Sequence, residues 1–232
     1  MVELDEQVGA VWQVILADAD WLADRMVNFR ISLDNVKEAL ASPPHDLRKK
    51  AFQTILRNRV QRGGIMAPGA SLMKAGENGR GISSRWYPVT LAKRIQAINR
   101  QRKRITFING DAFDVIPEFL DNPGVAFFID PPYTAGGKKA GKRLYNYSEI
   151  DHEGLFAMMG RAKGEFLMSY DDSKEVEELA GRHGFYLSKV PMKSTHHSKQ
   201  FELLITSRAR IVPKFLFDPV LEPAQGHRDS AG

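Results

Sequence analysis

Apolar residues recur at three- and four-residue spacing near the start of the chain. Val8, Val11, Trp12, Ile15 and Leu16 share one face, which predicts an amphipathic helix. Val2 to Leu4, just before it, reads as the end of a strand. A second helical stretch, Asn35 to Ala41, is broken by Ser42-Pro43-Pro44. Residues 45 to 60 read as a basic helix, and Thr90 to Asn99 as another with Leu91, Ile95 and Ile98 on one face. Between them lies a long glycine-rich, polar segment, from Arg62-Gly63-Gly64 to Trp86-Tyr87-Pro88. Loop-rich stretches of that length in compact domains are usually functional or mobile.

From residue 105 onward the pattern changes. Ile105 to Ile108 reads as a short strand and Val115 to Leu120 as a short helix. Val125 to Ile129 is apolar throughout, the pattern of a strand buried on both faces of a parallel sheet. Ser148 or Asp151 can cap a helix carrying Leu155, Phe156, Met158 and Met159, whose methionines are read as core. Phe166 to Tyr170 is a further strand, and Asp172 or Ser173 caps a helix ending near Gly181 to Gly184. Phe185 to Val190 and Phe201 to Ile205 read as terminal strands, the last region where an antiparallel strand is expected. Strands alternating with helices predict an α/β fold with a mostly parallel sheet covered on both faces. The tail beyond Pro213 is rich in proline, glycine and charge and is expected to fray.

Composition narrows the possibilities. The chain has 232 residues, 43% hydrophobic and 26% charged, an ordinary globular balance. It has no cysteine, which excludes disulfides, thiolate metal sites and cysteine nucleophiles. No apolar run is long enough to span a bilayer, and the acidic start, Met1 to Glu6, lacks a signal-peptide pattern. A soluble, cytoplasmic protein with no membrane partner is expected. Adjacent His196 and His197 point to opposite sides of a strand and make poor joint ligands, so no metal is expected.

Lysine and arginine number 33 against 28 acidic residues, a net charge of +5. The basic residues cluster at Arg57, Arg59 and Arg62, along Lys93 to Arg104, and at Lys138, Lys139, Lys142 and Arg143. Together the clusters favour phosphate contacts over solvated faces. The last of them, with Tyr145 and Tyr147, follows the motif below and is expected to close over DNA. Trp86-Tyr87 either stacks on bases or anchors its loop.

The most informative residues are Asp130-Pro131-Pro132-Tyr133, directly after the apolar strand. A given tetrapeptide with two prolines arises by chance in about one chain in a thousand of this length. Its position also points to function, because sites in α/β sheets lie beyond the carboxyl ends of strands. The chemistry suits methylation of an exocyclic amine, whose lone pair is delocalised into a ring. The Asp130 carboxylate and the Pro131 carbonyl can each accept one N–H and free that lone pair for in-line attack. Proline at 131 and 132 fixes φ and holds the acceptors in place. Tyr133 offers a flat face for a base swung out of the duplex.

These residues resemble the catalytic motif of S-adenosylmethionine-dependent DNA amino-methyltransferases, and the surroundings resemble the Dam-like class of adenine N6 enzymes. The resemblance extends over most of residues 1 to 208. Asp5, with Glu3 as the alternative, resembles the strand-end carboxylate that binds the cofactor ribose. Asn109-Gly110-Asp111-Ala112-Phe113 is similar to the element beside the cofactor adenine, and Phe52 through Gly64 loosely to the opening of the target-recognition insertion. The resemblance implies a Rossmann-like methyltransferase sheet with an inserted helical and loop recognition region. Its parts would be a remnant of the cofactor half (1–42), the insertion (43–100), the catalytic half (101–210) and a flexible tail (211–232). It also implies double-stranded DNA as partner, S-adenosylmethionine as cofactor, and Asp130 in contact with both cofactor and amine.

One element of that family has no counterpart. The glycine loop that cradles the methionine end of the cofactor should precede the acidic strand, and neither Arg62-Gly63-Gly64 nor Ala135-Gly136-Gly137 joins a strand to a helix. The expectation is a truncated chain completed by an upstream segment or a second chain. Cytosine N4 methylation and an inactive DNA-binding fragment are the alternatives.

Overall fold

The structure is a computed structural model and describes residues 1–66, 70–74, 79–132, 150–193 and 199–208. Among these the chain forms two compact bodies, which divide between Ala112 and Phe113. It is a mixed α/β protein: a helical N-terminal region and a four-stranded mixed sheet. No helix among the described residues is long and apolar enough to cross a membrane.

The first body is built from α1 (Glu6–Ala17), α2 (Ala19–Asn28), α3 (Leu33–Ala41), α4 (Leu47–Val60) and α5 (Pro88–Arg100). Side chains at the helix starts explain where the chain turns helical. Asp5 Oδ1 accepts from the amides of Gln7 (2.7 Å) and Val8 (3.3 Å), Ser32 caps α3, and Asp46 caps α4. Pro88 occupies the first turn of α5, where its missing N–H costs nothing. Val14, Leu22, Met26, Val36, Leu56 and Ile95 lie in one core. Trp86 is buried in that core with its ring edge-on to Phe29, whereas Tyr87 is exposed, so the tryptophan anchors its segment.

The sequence pattern gave α1, α3, α4 and α5 but not α2. Its buried stripe, Ala19, Leu22, Ala23 and Met26, is narrow and flanked by Asp18, Asp20, Asp24 and Arg25. The same body holds β1 (Val2–Glu3), paired in parallel with β2 (Ile108–Asn109). The strand expected at Ile105 to Ile108 thus begins later. Gly9 of α1 sits against Asn109, and a Cβ there would come within 2.9 Å of the asparagine side chain. That approach leaves Asn109 Nδ2 to donate to the Glu3 carbonyl at 2.7 Å.

The second body begins in the short helix α6 (Ala112–Val115), which spans the division, and continues through a 3-10 turn at Ile116–Phe119. Its sheet runs β3 (Ala126–Ile129), β4 (Glu165–Asp171), β6 (Lys199–Thr206), β5 (Tyr186–Lys193) in spatial order. Two helices, α7 (His152–Gly160) and α8 (Lys174–Arg182), contribute Leu155, Phe156, Met159, Val176 and Leu179 to its core. Asp151 and Ser173 are the caps. Met159 is fully buried and Met158 packs beside it, as expected of core methionines.

Two expectations need correction. The four-stranded sheet is not mostly parallel: β3–β4 is parallel, while β4–β6 and β5–β6 are antiparallel. Nor is the apolar run Val125 to Ile129 buried on both faces. Among the described residues β3 is an edge strand, Ala126 is exposed and Phe128 is 71% exposed. The fully buried side chains of the sheet are Met168 and Tyr170 on one face of β4 and Leu203 and Ile205 on one face of β6.

Candidate active site

Asp130, Pro131 and Pro132 leave the carboxyl end of β3. The position of Asp130 is set by the register of β3 with β4, in which Ile129 lies opposite Met168. Gly164 makes that register possible. A Cβ there would fall 2.1 Å from the Val125 carbonyl oxygen, so only glycine lets β4 start so close to β3. The Glu165 amide then donates to the same carbonyl at 3.1 Å. One step past the last ladder pair, Ser169 Oγ donates to Asp130 Oδ1 at 2.9 Å.

Asp130 is exposed and Pro131 is buried, so a proline-stiffened backbone presents a carboxylate that Ser169 contacts. Parallel pairing of two strands has placed a hydroxyl where it fixes the rotation of the carboxylate. Ser169 was not singled out in the sequence. It reads there as one polar residue inside an apolar strand, and only the register shows its partner.

His152, at the start of α7, also escaped the sequence reading. Its Nδ1 lies 3.0 Å from the hydroxyl of Tyr170, and the two rings meet edge to face. Burial pushes His152 below its ordinary pKa despite the opposing pull of Glu175, Asp171 and Asp151. Tyr170 is pushed up, by burial first and by Asp171 second, and keeps its proton. This pair is a structural hydrogen bond inside the sheet body.

The cofactor candidates Glu3, Asp5 and Asp111 belong to the helical body. The parallel register of β1 and β2, Glu3 opposite Asn109, brings Asp5 and Asp111 to the same end of that strand pair. Glu3 Oε1 accepts from the Asp5 amide at 2.9 Å while Asp5 caps α1, so the two acidic side chains form one turn. Asp111 and Ala112 are exposed. Phe113 packs instead against the apolar core of the sheet body. Carboxylates grouped beyond the ends of parallel strands are suitable acceptors for the hydroxyls of a ribose.

Of the basic candidates, Arg57 donates from Nη1 to Gln7 Oε1 at 3.2 Å, Arg59 is half-buried, and Arg62 is exposed in the turn after α4. Burial, then the charges of Arg85 and Arg94, lower the pKa of Arg59. Tyr133, Lys138, Lys139, Lys142, Arg143 and Tyr145 lie outside the described residues, as do His196 and His197. Compared with known proteins, the chain matches no family model and no curated protein sequence.

Proposed function

We propose that this chain is the catalytic part of a site-specific DNA adenine N6-methyltransferase with a Rossmann-like methyltransferase fold. The observation that carries the reading is Asp130-Pro131-Pro132 at the carboxyl end of β3, its carboxylate held by Ser169 from the parallel neighbour. Two acceptors on a rigid backbone match the two N–H donors of an exocyclic amine. The Asp130 carboxylate and the Pro131 carbonyl take those hydrogen bonds, turn the nitrogen toward tetrahedral geometry and aim its lone pair. Ser169 acts through Asp130 and is a positioning residue. After transfer the surplus proton passes from the nitrogen to water, so Asp130 need not be a strong base.

S-adenosylmethionine would supply the electrophilic methyl group. Glu3, Asp5 and Asp111 are the residues to hold its ribose, with Ala112 and Phe113 beside the adenine and Asp130 near the methyl-bearing end. Among the described residues none of the glycines with positive φ joins a strand to a following helix. A glycine loop supplied by an upstream segment or a second chain is part of this proposal. Tyr133 is assigned to stacking on the flipped base, and Arg57, Arg59, Arg62, Lys138, Lys139, Lys142, Arg143 and Tyr145 to the duplex.

The test is incubation of the chain, supplied with an upstream extension or a partner chain carrying the glycine loop, with S-adenosylmethionine and unmethylated DNA, followed by mass spectrometry of the nucleosides. N6-methyladenine is expected, and Asp130→Ala should lower its formation by about 10²–10³-fold, the usual cost of one preorganised polar contact. N4-methylcytosine would redirect the reading. Undiminished methylation by Asp130→Ala would overturn the assigned chemistry.

A further inference from the structure

Three arginines in the helical body, Arg59, Arg85 and Arg94, have no ion-pair partner among the described residues. Arg59 lies in the last turn of α4, half-buried, and its Nε is buried with no hydrogen-bond partner. Arg85, just before Trp86, places its guanidinium over Gly64. A Cβ on that glycine would come within 3.0 Å of one terminal nitrogen and 3.1 Å of the other. Gly64 also has a φ of 72°, which only glycine adopts readily, and its carbonyl accepts from Asn58 Nδ2 at 3.2 Å. Arg94, exposed on α5, is near enough for its charge to act on Arg59, as is that of Arg85.

No carboxylate among the described residues forms an ion pair with any of the three. Elsewhere in the molecule cations find partners: Arg48 with Asp18, Lys50 with Glu6, Lys189 with both Asp172 and Glu177. Like charges gathered on one half-buried guanidinium repel, and that cost falls when an anion joins them. A guanidinium presents flat, paired donors, the geometry that suits a phosphate.

We propose that Arg59, Arg85 and Arg94 form one anion site that receives a backbone phosphate of duplex DNA. Arg57 lies outside the site, because it is tied to Gln7. The phosphate is the shared chemistry, and its assignment to DNA rests on the methyltransferase reading above. The site contacts no base, so it fixes the position of the protein on the duplex and carries no sequence information itself.

The experiment measures binding of the full chain to a short, labelled, unmethylated duplex by fluorescence anisotropy, from about 50 to 200 mM salt. Arg94→Gln and Arg85→Gln should each weaken binding several-fold, equally on duplexes of unrelated sequence. The slope of log affinity on log salt should fall by about one unit in the triple variant with Arg59→Gln. Arg94 is exposed, so its variant should melt no lower than the parent, and it decides the matter if Arg59→Gln fails to fold. Unchanged affinity and slope in Arg94→Gln and Arg85→Gln would overturn the site.

Inorganic pyrophosphate is the second probe. If it raised the melting temperature at concentrations below those at which duplex binds, the ligand would be a free phosphate and the DNA assignment would fall. The nucleoside assay separates the two proposals. Methylation with unaltered salt slopes in the variants removes the site and keeps the function. Weakened, less salt-dependent binding in a chain that methylates nothing, even when the glycine loop is supplied upstream or by a second chain, keeps the site and removes the function.

Discussion

Each of the two bodies contains a basic side chain that burial drives toward its neutral form, and they meet that pressure differently. In the sheet body His152 yields: its ordinary pKa of 6.5 is lowered, and its Nδ1 shares a hydrogen bond with Tyr170. In the helical body Arg59 is also lowered, by burial and by two neighbouring arginines. A guanidinium starts so far above neutrality that it keeps its charge at neutral pH. Polar groups of the sheet body are also satisfied locally, with Ser169 on Asp130, Ser207 on Glu165, and Lys189 between two carboxylates. The helical body leaves Arg59 Nε and Trp86 Nε1 buried without hydrogen-bond partners. The buried donors without hydrogen-bond partners among the described residues thus fall in the helical body, and such a group calls for a physical account.

The largest expected effects come from the cores, which set the scale for everything else. Leu22 of α2 and Leu203 of β6 are both fully buried. Replacing either by alanine should cost about 2–5 kcal/mol, from lost transfer energy and the cavity left behind. Amide hydrogen exchange should accelerate across α1, α2, α4 and α5 in Leu22→Ala, and across β4 to β6 in Leu203→Ala. Undiminished protection in the affected body would mean that its core is held elsewhere.

Next in size is a pair of substitutions with opposite expected signs. Tyr170→Phe removes the hydroxyl that meets His152 inside a packed interior, at a cost of about 1–3 kcal/mol. Arg59→Met removes a half-buried charge that no carboxylate neutralises among the described residues, so the free chain should unfold at the same temperature or higher. Thermal melts of the two variants beside the parent read both signs. If Arg59→Met were the more destabilising, the guanidinium would be structural and the contrast between the bodies would disappear.

The sequence made some of this legible, for reasons that differ by element. Helical periodicity exposed α1 and α5 because large apolar residues recur at helical spacing, Val8, Val11, Trp12, Ile15 and Leu16 in one and Leu91, Ile95 and Ile98 in the other. It missed α2, where four small or medium side chains carry the whole buried face. The Asp130-Pro131-Pro132 motif was readable because its chemistry is local to four residues. Ser169 was not, since its role depends on which residue of β4 stands beside Asp130, and Gly164 and the strand register decide that. The exposure of Phe128 was hidden for a similar reason: an apolar strand reads the same whether it lies in the middle of a sheet or at its edge. Arg57 and Arg59 sit two positions apart in one basic run. One donates to Gln7, while the other keeps a buried Nε without a hydrogen-bond partner among the described residues, a distinction that composition does not contain.

The smallest expected effect is a change of stability with pH that belongs to His152 alone. Its folded pKa lies below 6.5, chiefly through burial, so in mild acid the unfolded chain takes up the proton first. Stability therefore rises with pH wherever the unfolded state holds more protons. For this residue the loss begins as pH falls through about 6.5 and levels off below the lowered folded value. The charges of Glu175, Asp171 and Asp151 oppose the effect of burial, which keeps the change small. Urea unfolding of the parent and of His152→Gln between about pH 5 and 8 isolates it, because every other titrating group is common to both. The difference between the two chains should be constant above about pH 7 and should shift in favour of the variant as the solution becomes acidic. Parallel curves across the whole range would show that His152 carries the same proton in both states. Arg59 offers no such signature, because its charge does not change anywhere in that range.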